Sequence, residues 1–363
     1  MRVALLTYST KPRGGVVHTL ALAEALARLG VEVDVWTLGR GGDTGFFRPV
    51  DDRVGVRAVP FADLGPDEPF GERIARSIDV LGTAFAPERA AYDVVHAQDC
   101  LSTNAALRSG PCLRTVHHLD TFTTPELVAC HERAIVAPSA LVCVSAAVAG
   151  EVRAGWGREP TVIPNGVDAA RFEAGAADQV GRLRWRRTLG HYVLAVGGIE
   201  PRKGTLDLLE AYSLLHAERP DVRLVLAGGE TLFDYRDYRG AFEARAADLG
   251  LAPTILGVVE DAALPALVAE AAVLPFVSTQ EGFGLAALEA LAAGTPVVAR
   301  DLPVLREVLG DAVSYAAHPA AIAAALDRAL DDPPDPSPGR FLARGFSWDA
   351  AAAAHLELYD RLG

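Results

Sequence analysis

The chain has 363 residues, half of them hydrophobic, with 34 Lys and Arg against 47 Asp and Glu, a formal net charge of −13. That length suits two domains, each able to bury its own core, and the acidic balance speaks against nucleic acid as a partner. No uninterrupted apolar run reaches the roughly 18 residues that suggest a membrane span, so no transmembrane segment is expected and only peripheral contact with a membrane is left open. The N-terminus runs straight into Val3-Ala4-Leu5-Leu6, too short for a secretory leader. The four cysteines (Cys100, Cys112, Cys130, Cys143) show no C-x-x-C spacing and read as reduced core thiols of a cytoplasmic protein.

In chain order, residues 2–7 read as a strand, 8–15 as a loop, 16–29 as a helix and 31–36 as a second strand. This is the start of an α/β domain with a parallel sheet. The loop Thr10-Lys11-Pro12-Arg13-Gly14-Gly15 lacks the G-x-G-x-x-G spacing of a dinucleotide fingerprint, and no acidic residue ends the second strand, since Asp34 falls inside it. A two-domain Rossmann oxidoreductase is therefore disfavoured, while Gly14 and Gly15 still let a ligand approach the helix N-terminus. Residues 39–69 read as loops and edge strands, and 70–85 as a helix. Segments 93–96 and 113–118 read as short buried strands ending in His96 and in His117-His118. Ligands of open α/β sheets bind at the carboxyl ends of strands. These histidines are thus candidates to line a cleft, although a lone His is more often a packed or capping residue. Residues 140–144 form a further strand, and Thr161 to Asp168 a strand and turn.

The pattern then restarts: strand 191–196, loop 197–204, helix 205–216, strand 222–227, Gly228-Gly229, a polar stretch, a helix near 239–249, strand 254–256 and helix 264–271. A change of character near 168–190 predicts two Rossmann-like domains, 1–170 and 171–345, with a C-terminal helix over 346–363 completing the first. Arg182, Arg184, Arg186 and Arg187 around Trp185 read as a solvated segment near the connection, with a membrane-surface patch as the alternative.

The most informative stretch is Glu281 to Pro296. An apolar run over 271–277 leads into Glu281-Gly282-Phe283-Gly284, then a helix over 285–293, then a strand from Val297. Two glycines before a helix leave backbone N–H groups bare at the positive end of its dipole, a nest for an anion. The helix is apolar all round except for Glu289, roughly 6 Å of rise past Leu285. A carboxylate on such a buried helix is costly unless something pairs with it. The bland account is a packed helix whose Glu meets an Arg. The functional account places a phosphate in the nest, with Glu281 and Glu289 accepting hydrogen bonds from sugar hydroxyls on either side. Of the 34 basic residues only Lys11 and Lys203 are lysines, each in a Gly-containing loop after a strand. A compact, strongly hydrated ammonium is wanted there. Arg202 and Lys203 precede a helix N-terminus and suit a diphosphate.

Ile163-Pro164-Asn165-Gly166-Val167-Asp168, Val196 to Gly204, Leu226-Ala227-Gly228-Gly229 and Glu281-Gly282-Phe283-Gly284-Leu285…Glu289 follow one another in the order found in one family. Over almost its full length the chain resembles the retaining nucleotide-sugar glycosyltransferases of family four, with a GT-B fold: two facing Rossmann-like α/β domains with parallel sheets and a cleft between them. The opening Thr7 to Gly15 is similar to a bacterial group of unassigned acceptor. The resemblance implies that the second domain binds a nucleoside-diphosphate sugar. Glu289 would hold the ribose; Glu281 with the amides of Phe283, Gly284 and Leu285 the transferred sugar and phosphates; Arg202 and Lys203 the diphosphate. The base would stack near Gly257, Val258 and Val259, and Gly14 or Gly15 would admit the donor from the first domain. His117 matches the strand-end histidine near the reacting sugar, with His118 as the neighbouring candidate. Lys11, His96 and His118 fall on the acceptor side, whose ligand would be a small molecule, a glycan or a lipid. Where many members carry a second phosphate-binding arginine this chain has Gly198, and Arg202 is the candidate substitute.

Preorganised cations and helix-end amides favour the charge that builds on a departing diphosphate. With no Asp-x-Asp site in view, Arg202, Lys203 and the helix end are expected to act without a metal or other cofactor. Retention of anomeric configuration, by same-face attack, is implied by the resemblance alone. A non-catalytic nucleotide- or sugar-binding protein of the same fold is the second reading.

Overall fold

The computed structural model describes residues 1–62, 64–65, 68–120, 122, 124–229 and 235–362. Part of the polar stretch after Gly229 lies outside them. Two compact units result: Met1–Gly166 with Ser347–Gly363, and Val167–Phe346.

The first unit holds one parallel sheet of seven strands: β1 (Arg2–Leu6), β2 (Glu32–Arg40), β3 (Val54–Phe61), β4 (Val94–Ala97), β5 (Leu113–Val116), β6 (Ala140–Cys143) and β7 (Thr161–Val162), in the order β3-β2-β1-β4-β5-β6-β7. The order reverses between β1 and β4, which makes their carboxyl ends the switch point where ligands of such sheets bind. Strand β2 runs on to Arg40 because β3 pairs with it from Val33↔Val54 through Arg40↔Phe61. Alternation along each strand decides which face a side chain meets. Ala4, Leu6, Trp36, Leu38, Val95 and Ala97 pack with Leu81 and Phe85 of the helix Phe70–Phe85 and with Ala105. The intervening residues, His96 and Thr115 among them, belong to the other face, where the helix Trp348–Leu362 places Tyr359 on His96. That helix also packs on the helix Gly14–Arg28.

The second unit has two three-stranded parallel ribbons. One is β8 (His191–Val196), β9 (Val222–Ala227) and β10 (Thr254–Gly257); the other is β11 (Leu274–Phe276), β12 (Val297–Arg300) and β13 (Ser314–Ala316). A single parallel bridge, Val193↔Val273, joins them. Leu194 N–H donates to Val273 O, and Leu274 N–H turns to Pro296 O on the other side. By alternation the next N–H owed to β8 belongs to residue 275, and Pro275 has none to give. Pairing between the ribbons therefore stops there. The core of this unit gathers Val193, Leu208, Leu224, Val273, Val298 and Leu326 from both ribbons and the helices over them.

Candidate active site

In the second unit the loops after β8, β9 and β11 meet. A Cβ on Gly228 would lie 2.2 Å from the carbonyl carbon of Gly197, so the ends of β8 and β9 touch backbone to backbone. Gly197, at φ +142°, sits in a region that favours glycine, and a Cβ there would meet the stem of Lys203 at 3.2 Å. A short 3-10 turn, Pro201–Lys203, follows. Gly204 closes it at φ +63°, where a Cβ would press on Val277 O at 2.4 Å. Thr279 N–H donates to Arg202 O at 2.8 Å, tying the loop after β11 to this turn.

That tie delivers Glu281 onto the cations. Its Oε1 accepts from Lys203 Nζ at 2.6 Å, Ser278 Oγ at 2.9 Å and Arg202 Nη1 at 3.3 Å, while Arg202 Nη2 reaches Glu200 Oε1 at 3.1 Å. The Lys203 ammonium also lies 5.4 Å from the Phe276 ring centre. A small cavity lined by Gly197, Gly198, Lys203, Phe276 and Ser278 opens beside the cluster. Ser278 and Glu200 were not singled out in the sequence. Glu200 was visible as the residue flanking the basic pair, whereas Ser278, three residues before Glu281, carried no signal of its own.

The helix over Leu285–Ala293 starts from Gly284 at φ +103° and ends at Gly294 at φ +86°. The N–H groups of Phe283, Gly284 and Leu285 donate to no described residue. The Phe283 ring is buried edge-on against Phe346, 5.3 Å between centres, so the residue offers its amide and not its ring. Glu289 is half-buried and makes no ion pair among the described residues; Arg171 pairs with Asp261 Oδ1 at 2.9 Å instead. The packed Glu–Arg pair therefore does not form. Burial pushes the Glu289 carboxyl up to about 7, with Arg171 opposing and Asp261 and Asp168 adding to the rise. Gly257, at φ +67°, ends β10 and Val259 follows it, next to the β9 loop, where a Cβ on Gly229 would press on Val258.

In the first unit Gly15, in the first turn of its helix, faces His117: a Cβ there would lie 3.4 Å from His117 Cδ2. Gly14 has open space around it. His117 meets His18 edge-on at 4.6 Å, and His18 Nδ1 lies 2.8 Å from Asn165 Oδ1. His18 escaped the sequence reading; its place one turn past the glycines was the available signal. Burial holds His117 down to about 3, so it is a neutral imidazole, and its Nε2 has no partner among the described residues. His117 and His118 leave β5 on opposite faces, and only His117 shares the glycine loop; His118 Nε2 lies 3.0 Å from Asp120 Oδ2.

The acceptor-side expectation for His96 is corrected. It lies inside β4, fully buried, with Nδ1 2.7 Å from Tyr359 Oη and Nε2 2.8 Å from Thr115 Oγ1. Both nitrogens are spent on the core. Lys11 is largely exposed, its Nζ 2.9 Å from Asp43 Oδ2. The arginine cluster is a helix, Gln179–Leu189, and Arg182 and Arg186 both pair with Glu270, at 3.0 and 2.5 Å. All four cysteines are free thiols, three of them buried. Among the described residues no helix is long and apolar enough to cross a membrane, and no three His, Cys, Asp or Glu side chains are placed to share a metal ion.

Residues 12–171 match the family described as Glycosyltransferase Family 4, and residues 186–344 match Glycosyl transferases group 1. The chain is 30% identical to an MMP alpha-(1->4)-mannosyltransferase of Mycolicibacterium hassiacum, across 99% of this chain and 98% of that protein. The chain belongs to the family-4 glycosyltransferases. It is also 30% identical to a D-inositol 3-phosphate glycosyltransferase of Salinispora tropica, across 99% of this chain and 85% of that one. The fold of this glycosyltransferase is the GT-B fold of Rossmann-like units with parallel sheets. Anabaena HepE, solved with UDP and glucose, superposes with a TM-score of 0.77 at 20% identity, covering 99% of this chain and all of that one.

Proposed function

We propose that this glycosyltransferase moves a sugar from a nucleoside-diphosphate donor to an acceptor hydroxyl, with retention of anomeric configuration and without a metal ion or other cofactor, in the cytoplasm. The observation that carries the reading is the cluster in which Arg202 and Lys203 converge on Glu281, in the same unit as three N–H groups with no acceptor among the described residues. Breaking the bond between the anomeric carbon and the phosphate leaves negative charge on the diphosphate. Arg202, Lys203 and the amides of Phe283, Gly284 and Leu285 supply the positive potential that stabilises it, the work a divalent ion would otherwise do. We assign Glu281 to the positive sugar ring, Glu289 to the ribose hydroxyls, and Gly257 with Val259 to the base. In the first unit His117 is assigned to the reacting sugar and Gly14 and Gly15 to close approach of the donor. Arg202 takes the role left open by Gly198. A relative named for mannosyl transfer and a fold neighbour holding UDP and glucose make UDP and GDP the first nucleotides to test.

Thermal melts with UDP, GDP, ADP and TDP test the reading. A ligand at a hundred times its dissociation constant stabilises by about 2.7 kcal/mol, so one of the four should raise the melting temperature clearly. A flat response to all four would refute the assignment. Retention is tested by the anomeric proton signal of the product made with the donor so identified.

A further inference from the structure

All four cysteines stand in the first unit, and the fold brings two of them together. Cys100 opens the helix Cys100–Ala106, which Asp99 caps by accepting Ser102 N–H on Oδ1 at 2.8 Å. Cys130 lies in the middle of the helix Pro125–Val136, which packs on the first one. Asn104, one turn past Cys100, ties the two. Its Nδ2 donates to the carbonyl oxygens of Cys100 and of Cys130, at 2.8 Å each, and lies 3.4 Å from Cys130 Sγ. One amide nitrogen thus touches both main chains and one of the sulfurs. The two thiols are also hydrogen-bonded to each other, and that bond, with burial, holds the Cys130 thiol far above the usual thiol range. Sulfurs close enough to share a proton need little side-chain rotation to close a disulfide.

The two sulfurs are unequal. Cys100 is half-buried and Cys130 is 5% exposed, while Cys112 and Cys143 are closed to solvent at 1% and 0%. A reagent arriving from solvent therefore meets Cys100 first. Arg114 of β5 adds a charge beside the pair. It is buried, makes no ion pair among the described residues, and its Nε and Nη1 have no hydrogen-bond partner there. Burial works against its charge, and the groups that favour it are, in order, Cys100, Asp99, Cys130 and Cys143. Asp99 is already engaged, by Ser102 N–H as the helix cap and by Tyr8 N–H on Oδ2 at 3.1 Å. Negative charge on the Cys100 sulfur is the counterpart this guanidinium lacks.

We propose that Cys100 and Cys130 form a reversible thiol–disulfide pair that a peroxide closes. The Cys100 sulfur, as thiolate, attacks one oxygen of hydrogen peroxide; the O–O bond breaks, and the departing hydroxide takes a proton from solvent. This leaves one water and a sulfenic acid on Cys100, its sulfur oxidised by two electrons. The Cys130 sulfur then attacks the Cys100 sulfur, the S–O bond breaks, and the hydroxyl leaves as water with the Cys130 proton. Two thiols and one peroxide have become one disulfide and two waters. The Asn104 N–H on Cys130 Sγ supports the negative charge that develops on that sulfur. A small dithiol reverses the step by exchange and ends as its own cyclic disulfide. The closed ring spans residues 100–130 and takes in all of β5 together with His117. In a reducing compartment such a bond is transient, the behaviour of a redox sensor and not of a structural staple.

Peptide mapping by mass spectrometry tests this. Reduced protein, freed of reductant, is treated with hydrogen peroxide, quenched in acid and alkylated. A peptide linked through Cys100 and Cys130 should appear, the intact chain should be lighter by two hydrogens, and dithiothreitol should restore the parent mass. Cys130→Ser should hold Cys100 at the sulfenic acid, where dimedone traps it. Cys100→Ser should leave Cys130 a thiol at a peroxide dose that converts the parent protein fully. A link through Cys112 or Cys143, a bond between two chains, or Cys100 passing to sulfinic acid while Cys130 stays a thiol would overturn the proposal. So would oxidation of Cys130 that is as fast in Cys100→Ser as in the parent protein. If either variant fails to fold, the map of the parent protein decides by itself. The measurement uses neither donor nor acceptor, so the pair stands or falls apart from the transferase reading.

Discussion

Glu281→Gln keeps the shape of the side chain and deletes one negative charge from the donor cluster. In the free protein that charge holds the Lys203 ammonium at 2.6 Å and Arg202 at 3.3 Å. A phosphate oxygen on the same ammonium, at about 2.8 Å, brings the phosphorus to roughly 6 Å from the carboxylate carbon. At an effective dielectric of about 20–40 the two like charges then repel by about 1.4–2.8 kcal/mol. UDP should therefore bind the variant about ten- to a hundredfold more tightly than the parent protein, measured by calorimetry at low salt, and the gain should shrink as salt is added. Sugar transfer should slow in the same variant, because the carboxylate assigned to the positive sugar ring is gone. UDP affinity that is unchanged or weaker would refute the reasoning, since it would mean that Glu281 serves to position Lys203 and does not compete with the diphosphate.

Lys203→Ala removes one charge-assisted hydrogen bond worth about 1.5–3 kcal/mol, so kcat/KM in initial-rate assays should fall about ten- to a hundredfold. Glu289 gives a pH signature. A carboxyl whose folded-state pKa is raised, here from 4.5 to about 7, favours the fold fully below the lower value and loses that contribution as pH rises through the upper one. Glu289→Gln stays neutral throughout, so melting curves should place it above the parent protein at about pH 8 and level with it near pH 4.5. Tyr359→Phe strips His96 Nδ1 of its 2.7 Å partner. Urea unfolding should show a loss of about 1–3 kcal/mol, with nucleotide binding unaltered.

Local patterns carried much of this molecule. Helix 285–293, with two glycines before it and one acidic residue on it, was legible because propensity, the N-terminal glycine and burial all point the same way there. Strands β8 and β9 and the helix Trp348–Leu362 fall where their apolar patterns place them. What escaped needs distance or parity. Glu281 and Lys203 are 78 positions apart, so sequence names both as donor-site residues without showing that one holds the other. His96 reads as a strand-end histidine because the branched apolar run stops before it; β4 includes Ala97, and inside the strand His96 faces a tyrosine 263 residues away. For His117 and His118 composition is silent, and one step of alternation along β5 separates them.

The bond between His96 and Tyr359 also orders events in time. A ribosome finishes all of Val167–Phe346 before it makes the helix that covers His96, the glycine-loop helix and His18 in the first unit. During that interval the nascent first unit carries an uncovered apolar face, and its imidazoles stand in water. Completion of this half is thus a late, long-range closure, and a chain cut anywhere after Phe346 should expose the older half to proteases before the younger one.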